Sequence, residues 1–233
     1  MDRENIIGIL NKADWFKGLD AEVVDQIAQR AQEKKYKNRE FLYMPGDVQD
    51  NLYYVISGTV QVSIVGYAGS QFILASMKSG QWFGEGAIIG MTKVIEVQTV
   101  TPATLLVVPL NAVKQVVGTE ASFYKNILED HMGRVQLLYE LIAGMLFLPL
   151  RARLAGRLLY LLEMFGKPSD EGLVLDMKFS QQDFARMSMG SRQRINKIFR
   201  EWQARDIYYK RSGKYIVKDI AALTEELEAD DDA

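Results

Sequence analysis

The chain has 233 residues, 48% of them hydrophobic, so it can fill the core of one large domain or of two modest ones. It has no cysteine, which excludes disulfides, thiolate zinc sites and cysteine-ligated iron–sulfur clusters. The start of the chain lacks the layout of a signal peptide, and the longest apolar run, residues 141–150, is half a membrane span, so we expect a soluble cytoplasmic protein with no membrane partner.

Charge is segregated along the chain, although the net charge is only −2. Residues 149–218 hold 15 Lys and Arg against 7 Asp and Glu, a local charge of +8. Residues 1–148 hold 13 against 16, and residues 219–233 add 7 acids and no base. A basic block of this kind fits a nucleic-acid-binding module, and on charge alone it fits an ordinary solvated surface equally well.

The first half of the chain is predicted to be a short helical start followed by strands. Apolar residues recur at helical spacing within residues 4–33. Residues 39–77 and 95–110 then alternate β-branched and aromatic runs with turn signals such as Pro45-Gly46-Asp47. Short strands at this spacing predict an antiparallel roll or barrel.

A glycine-rich stretch, GQWFGEGAIIGMTKVIEV (residues 80–97), separates the two strand runs. It combines four glycines with the carboxylate of Glu85, a composition typical of a backbone that approaches a ligand closely. The amides of Gly84, Gly86 and Ala87 are candidates for an anion-binding nest.

A long helix is predicted from about Thr119 to Pro149, and it carries a heptad pattern. Its predicted seam has alternating spacings of 4 and 3, which favours a coiled-coil homodimer; the alternative is a single helix that packs on its own roll. The seam consists of Ile127, His131, Arg134, Leu138, Leu141, Met145 and Leu148. His131 is the only histidine and has no companion ligand, so neither a metal site nor haem is expected.

The basic block has the order of elements of a winged helix. An amphipathic helix ended by Gly166 is followed by a short strand that leads to a capping Ser180. Two further helices joined by a tight turn at Gly190 predict a helix-turn-helix. Two strands about the turn Ser212-Gly213 then predict the wing.

The second helix of that pair separates into two faces at about 100° per residue. Its apolar face, the predicted core side, consists of Ile195, Ile198, Phe199 and Trp202. Its polar face gathers side chains suited to guanine and adenine edges, which favours insertion into a DNA groove over a merely solvated face. This face consists of Arg192, Gln193, Asn196, Lys197 and Arg200.

Taken in order, these motifs resemble the cAMP receptor protein and fumarate-nitrate regulator (CRP/FNR) family of bacterial transcription factors. The resemblance runs over residues 17–227, through PGDVQDNLYYVISGTVQV, WFGEGAI, the long helix, RARLAGRLLYL, FSQQDFARMSMGSRQRINKIFREW and YIVKDIAAL. It implies an α+β fold with an effector-sensing β-roll of the cyclic-nucleotide-binding, jelly-roll-like type (residues 1–118) and a long dimerisation helix (119–148). A winged helix-turn-helix DNA-binding domain with an acidic tail follows (149–233).

The resemblance also implies the partners of the chain. A homodimer would bind double-stranded DNA at a pseudo-palindromic operator and act on RNA polymerase. The GSR of the recognition helix begins at Gly190, which places base reading on Arg192, Gln193 and Lys197. The sequence holds no Walker loop, His-Glu-x-x-His motif or nucleophile elbow, so we predict no catalytic residues and no enzyme.

The effector site departs from the family. Glu85 matches the carboxylate that takes the ribose, but the Arg-Ser or Arg-Ala pair that holds the cyclic phosphate falls on Val94 and Ile95. The nearest cation, Lys93, is expected to point to the other face of the strand. By resemblance, the two helix residues that meet the purine fall on Leu138 and Tyr139. The predicted effector residues are therefore Gly84, Glu85, Gly86, Ala87, Leu138 and Tyr139.

We therefore predict a DNA-binding regulator that is switched by an unknown small molecule other than cAMP, or that works without an effector. Two alternatives stay open. One is a cAMP- or cGMP-responsive activator with an atypical phosphate site; the other is a cyclic-nucleotide-type regulatory module without DNA function. The sequence leaves open the operator and whether the protein activates or represses.

Overall fold

The computed structural model describes residues 1–48, 50–118 and 120–228. Thr119, where the dimerisation helix was predicted to begin, and residues 229–233 of the acidic tail lie outside the described residues. The chain divides into two compact units between Leu137 and Leu138.

Both units contain helices and strands. The described helices are α1 Arg3–Lys12, α2 Ala21–Ala28, α3 Leu110–Val117, α4 Ala121–Phe147, α5 Leu150–Phe165, α6 Gln181–Ser188, α7 Arg192–Ala204 and α8 Ile220–Glu225. The described strands are β1 Gln32–Tyr36, β2 Phe41–Tyr43, β3 Asn51–Ser57, β4 Val60–Val65, β5 Gln71–Met77, β6 Trp82–Phe83, β7 Glu96–Thr99, β8 Ala103–Pro109, β9 Gly166–Ser169, β10 Gly172–Leu175, β11 Tyr208–Arg211 and β12 Lys214–Val217.

The first unit is the predicted antiparallel roll. One sheet has the strand order β1-β8-β3-β6 and the other β2-β7-β4-β5. Val55 and Leu105 of the first sheet are buried with Val60 and Val97 of the second, so the two sheets share one core. A second core forms where the N-terminal helices meet the roll, around Trp82. The predicted helical start is confirmed as α1 and α2.

Helix α4 has the predicted length but exposes a different apolar stripe. Ile127 packs against the core of the first unit, and His131 and Arg134 contact Glu85 of the roll. The seam predicted through these three residues is therefore wrong; in this half the helix packs on its own roll, as the alternative held.

A neighbouring set of apolar residues on α4 lies within an arc of about 80° at about 100° per residue. All of them are exposed except Val135, which is half-buried. Their spacings alternate between 4 and 3, so they also form a heptad pattern. This exposed stripe consists of Leu128, Met132, Val135, Tyr139, Ile142 and Leu146.

The second unit is the predicted winged helix-turn-helix. Gly166 ends α5, and Ser180 caps α6 in a capping box with Asp183. Strands β11 and β12 flank the turn at Ser212-Gly213 and pair with β10 and β9 in the sheet order β11-β12-β10-β9. Strand β9 and helix α8 were not predicted.

An aromatic cluster fixes α7 on this unit. The Phe199 ring lies 5.1 Å from Phe184 of α6, 4.9 Å from Tyr208 and 5.2 Å from Tyr215 of the wing, and 5.6 Å from Trp202, measured between ring centroids. Contacts of this geometry add about 0.5 to 1.5 kcal/mol each beyond the area buried. The apolar face of α7 is therefore committed to the core.

The turn between α6 and α7 is a point of close approach. Met189 ends α6 in the left-handed region at φ 54°, and Gly190 follows. A Cβ on Gly190 would lie 2.7 Å from Cδ1 of the fully buried Leu150. A larger residue at this position would require the buried Leu150 side chain to move.

Replacing Gly190 by alanine should destabilise the second unit by about 1 to 3 kcal/mol, because the added methyl overpacks a closed core. Gly156→Ala is the matched control, since its Cβ would meet Leu227 Cδ2 at an ordinary 3.5 Å. Denaturant unfolding followed by circular dichroism measures both variants. Wild-type stability of Gly190→Ala would contradict the close packing.

Candidate nucleic-acid interface and glycine-rich loop

The outer face of α7 presents the predicted DNA-reading side chains to solvent. Arg192, Gln193, Lys197 and Arg200 are exposed, and Asn196 is half-buried. The predicted core face, Ile195, Ile198, Phe199 and Trp202, is buried. The predicted separation of the two faces is confirmed.

The start of α7 is well capped and carries no acid. Ser191 accepts a hydrogen bond from the amide of Arg194 at 3.3 Å. The ammonium of Lys197 lies 3.8 Å from Glu201, an exposed pair one turn apart. Such surface pairs contribute little, so the Lys197 ammonium stays available to an incoming anion.

Two arginines of α5 hold the helix-turn-helix turn in place. Arg153 Nε donates to the carbonyl of Ser188 at 2.9 Å, and Arg157 Nε donates to that of Met187 at 3.1 Å. Cations at the C-terminal end of a helix satisfy its free carbonyls. Sequence analysis missed this role, although the spacing of four residues between Arg153 and Arg157 was a signal that both lie on one face of α5.

Three cations in and beside the wing are paired with carboxylates. Arg211 binds Glu171 through two hydrogen bonds, of 3.0 and 2.5 Å. Lys214 lies 2.5 Å from Asp176, and Lys218 pairs with Asp206. Part of the positive charge of this unit is therefore compensated locally.

In the roll, the glycine-rich loop forms a tight turn. Gly84 and Gly90 flank a 3-10 helix, Glu85–Ile89, and both adopt positive φ, 100° and 70°, which strongly favours glycine. The turn directs the Glu85 carboxylate towards α4.

Glu85 is held by α4. Arg134 Nη1 lies 3.3 Å from its carboxylate and His131 Nδ1 lies 3.4 Å away. Arg134 Nη2 also donates to the carbonyl of Trp82 at 2.6 Å and pairs with Asp130 at 2.8 Å. The carboxylate that the resemblance assigns to a ribose is thus engaged by the protein itself.

The orientation expected for Lys93 is wrong. Lys93 is 8% exposed and its ammonium lies 5.1 Å from the centroid of the Tyr43 ring, whereas Val94 is 72% exposed. A Cβ on Gly86 would lie 3.3 Å from the Lys93 ammonium, so this cation faces the glycine-rich loop. Burial lowers the pKa of Lys93, and the nearby carboxylate of Glu85 partly offsets this effect.

Strand alternation in the sequence does not predict this arrangement. Val97 is fully buried in the roll and Ile95 packs against the same core. The chain bends at Ile95 and β7 begins only at Glu96, where Glu96 and Val97 are both buried, so residues 93–97 do not alternate as one strand.

The other predicted effector residues are divided between the two units. Gly84 and Ala87 are buried in the loop and Gly86 is half-buried. Leu138 and Tyr139 are exposed on α4 and belong to the second unit. Their contact with an effector stays a prediction.

The described part of the chain holds neither a group of metal ligands nor a membrane-spanning helix. Within residues 1–48, 50–118 and 120–228, no three His, Cys, Asp or Glu side chains are grouped as metal ligands would be. Within the same part of the chain, no helix is long and apolar enough to cross a membrane.

Two family profiles match the two units. Residues 33–120 match the cyclic nucleotide-binding domain, and residues 152–226 match the Crp-like helix-turn-helix domain. These matches contain the glycine-rich loop and the helix-turn-helix with its wing, respectively.

Relatives match over most of their length. The global nitrogen regulator of Synechocystis sp. is 22% identical over 91% of this chain and 93% of its own. The CRP-like cAMP-activated global transcriptional regulator of Mycobacterium tuberculosis is 22% identical over 84% and 88%.

Solved structures share the fold. A CooA mutant from Carboxydothermus hydrogenoformans has a TM-score of 0.73 at 21% identity, covering 94% of both chains. The c-di-GMP responsive global regulator CLP from Xanthomonas campestris has a TM-score of 0.72 at 21% identity, covering 86% of this chain and all of its own. With both domains present in the same order, the chain belongs to the CRP/FNR family of transcription regulators.

Proposed function

We propose that the chain is a homodimeric, sequence-specific transcription regulator that binds a pseudo-palindromic operator through α7 and acts on RNA polymerase. Members of its family are transcription regulators rather than enzymes. The observation that carries the proposal is the outer face of α7, which is basic, exposed and fixed in orientation by the aromatic cluster behind it.

The chemistry of that face suits base edges. Arg192 offers the planar fork that binds guanine, and Gln193 and Asn196 offer the amides that bind adenine. Lys197 and Arg200 lie on the same face, where they suit phosphate or base contacts. A regulatory module without DNA function would not need such a face behind a capped helix-turn-helix.

The exposed stripe on α4 supports the homodimer. It presents large apolar side chains to solvent over 19 residues, from Leu128 to Leu146, in a heptad pattern. A contiguous apolar surface of this kind marks an interaction site, and its periodicity fits a second copy of the same helix. Two copies would present two α7 helices to two half-sites.

The roll is proposed to be switched by a ligand other than cAMP, or by none. The position expected to carry a phosphate-binding guanidinium, Val94, faces outwards, and Glu85 is engaged by Arg134 and His131. Relatives differ in effector, since one is named for cAMP and another for c-di-GMP.

One observation favours a second candidate, a cAMP- or cGMP-responsive regulator with an atypical phosphate site. The Lys93 ammonium is buried beside the amides of the glycine-rich loop, where a phosphate could pair with it. A lysine supplies one point charge in place of a bidentate guanidinium.

Alanine at Arg192 or Lys197 should cost about 1 to 3 kcal/mol of operator affinity, and the loss of a base contact should relax the sequence preference at that base pair. The operator is first selected from random duplexes with the wild-type protein, and affinities are measured by fluorescence anisotropy. Lys12→Ala, which removes one positive charge from α1, is the control. An unchanged sequence preference in both α7 variants would refute the assignment.

Glutamate at Leu128 and Ile142 together should convert the dimer into monomers, because each change would bury an unpaired charge in the interface. Leu137→Glu is the matched control, since Leu137 is 58% exposed, close to the 59% of Leu128, but lies about 180° around the helix from it. Sedimentation velocity measures the mass. A dimer that survives the double change would place the interface elsewhere.

Calorimetric titration of the wild-type protein with cAMP or cGMP should show no micromolar binding. A missing charged hydrogen bond costs about 1.5 to 3 kcal/mol, or roughly 10-fold to 150-fold in affinity. Lys93→Arg places a guanidinium on the inward side and should strengthen binding, whereas Val94→Arg should not. Micromolar binding by the wild type that Lys93→Met abolishes would establish the second candidate instead.

A further inference from the structure

A single buried carboxylate connects the C-terminal segment to the recognition helix. Glu226 follows the end of α8 and is 3% exposed. Trp202 Nε1 donates to its Oε2 at 2.6 Å, Arg151 Nη1 donates to the same oxygen at 3.0 Å, and Arg205 donates to Oε1. Both oxygens of this carboxylate are therefore hydrogen-bonded to the protein.

The partners of Glu226 come from two different helices. Trp202 lies in the last turns of α7, whereas Arg151 is the second residue of α5. Arg151 also donates to Glu201 of α7, so its guanidinium binds two carboxylates at once. The cluster is thus a direct polar connection between the end of α7 and the start of α5, where the chain arrives from α4.

Two guanidinium groups and two carboxylates form the cluster, and the Lys197 ammonium lies 3.8 Å from Glu201 at its edge. Burial raises the pKa of Glu226, but hydrogen bonds from Trp202, Arg151 and Arg205 outweigh this effect, so its pKa lies below the ordinary value and the group is ionised at neutral pH. A buried ionic cluster contributes little more stability than apolar packing would. Its hydrogen bonds are directional, however, and they restrict how α7 is oriented.

We propose that Glu226 is a positioning residue for DNA recognition, which fixes the orientation of α7 relative to the start of α5. The inference rests on the proposed function, because orientation matters when two recognition helices must fit two half-sites at a fixed spacing. A tilt of α7 in each protomer displaces both helices from the operator, whereas a single half-site needs only one helix to dock.

The test is Glu226→Gln, which keeps the shape of the side chain but removes its charge. The probes are a palindromic duplex selected from a random library by the wild-type protein, and the same duplex with one half-site replaced by unrelated sequence. We expect binding to the full duplex to weaken by about tenfold or more and binding to the half-site duplex by about threefold or less. Glu225→Gln, an equal charge change at the exposed neighbouring residue, should leave both unchanged.

A second variant covers the case in which Glu226→Gln does not fold. Arg205 is half exposed and contacts Glu226 through Oε1, so Arg205→Met should give a smaller change in the same direction. Equal weakening on both duplexes, or wild-type binding by the folded variants, would overturn the inference. Failure of the wild-type protein to select any duplex would instead overturn the proposed function.

Discussion

The packing of Phe199 against its aromatic neighbours is the interaction on which the second unit depends. Because Phe184, Tyr208 and Tyr215 contact it from α6 and from the wing, α7 cannot rotate about its axis without breaking contacts on two sides. Rotation is the property that decides which residues of a recognition helix face a groove. The aromatic cluster therefore determines which side of α7 presents its polar side chains to solvent.

The long helix α4 must satisfy two different surfaces with one sequence. Its first half gives Ile127 to the core of the roll and Arg134 to the glycine-rich loop. The exposed apolar stripe begins one position further along the helix, at Leu128 and Met132, and faces solvent. Arg134 therefore couples the loop to a helix that would also carry the dimer contact.

Much of the architecture followed from local patterns in the sequence. The faces of α7, the cap at Ser180 and the turn at Ser212-Gly213 depend on neighbours within a few residues, and all three were predicted. The choice between two heptad stripes on α4 was not predictable in this way, because it is decided by Glu85, which lies 46 residues before His131.

The predicted direction of the Lys93 side chain was wrong for a related reason. Alternation along an extended chain establishes which residues share a face, but not which face points inwards. The inward direction of Lys93 depends on its packing over Tyr43, which lies 50 residues earlier in the chain. Likewise, nothing near Glu226 in the sequence indicated that Trp202 and Arg151 would meet there, since both contacts depend on the packing of α5, α7 and α8.

The ion pairs of the wing change how the basic charge of the second unit should be counted. Arg211, Lys214 and Lys218 contribute to the excess of +8, yet each already has a carboxylate partner. Such a cation releases fewer counterions on meeting a phosphate than a free one does, because its carboxylate stays nearby and repels the backbone. The formal charge therefore overstates what these three cations could contribute to binding a phosphate.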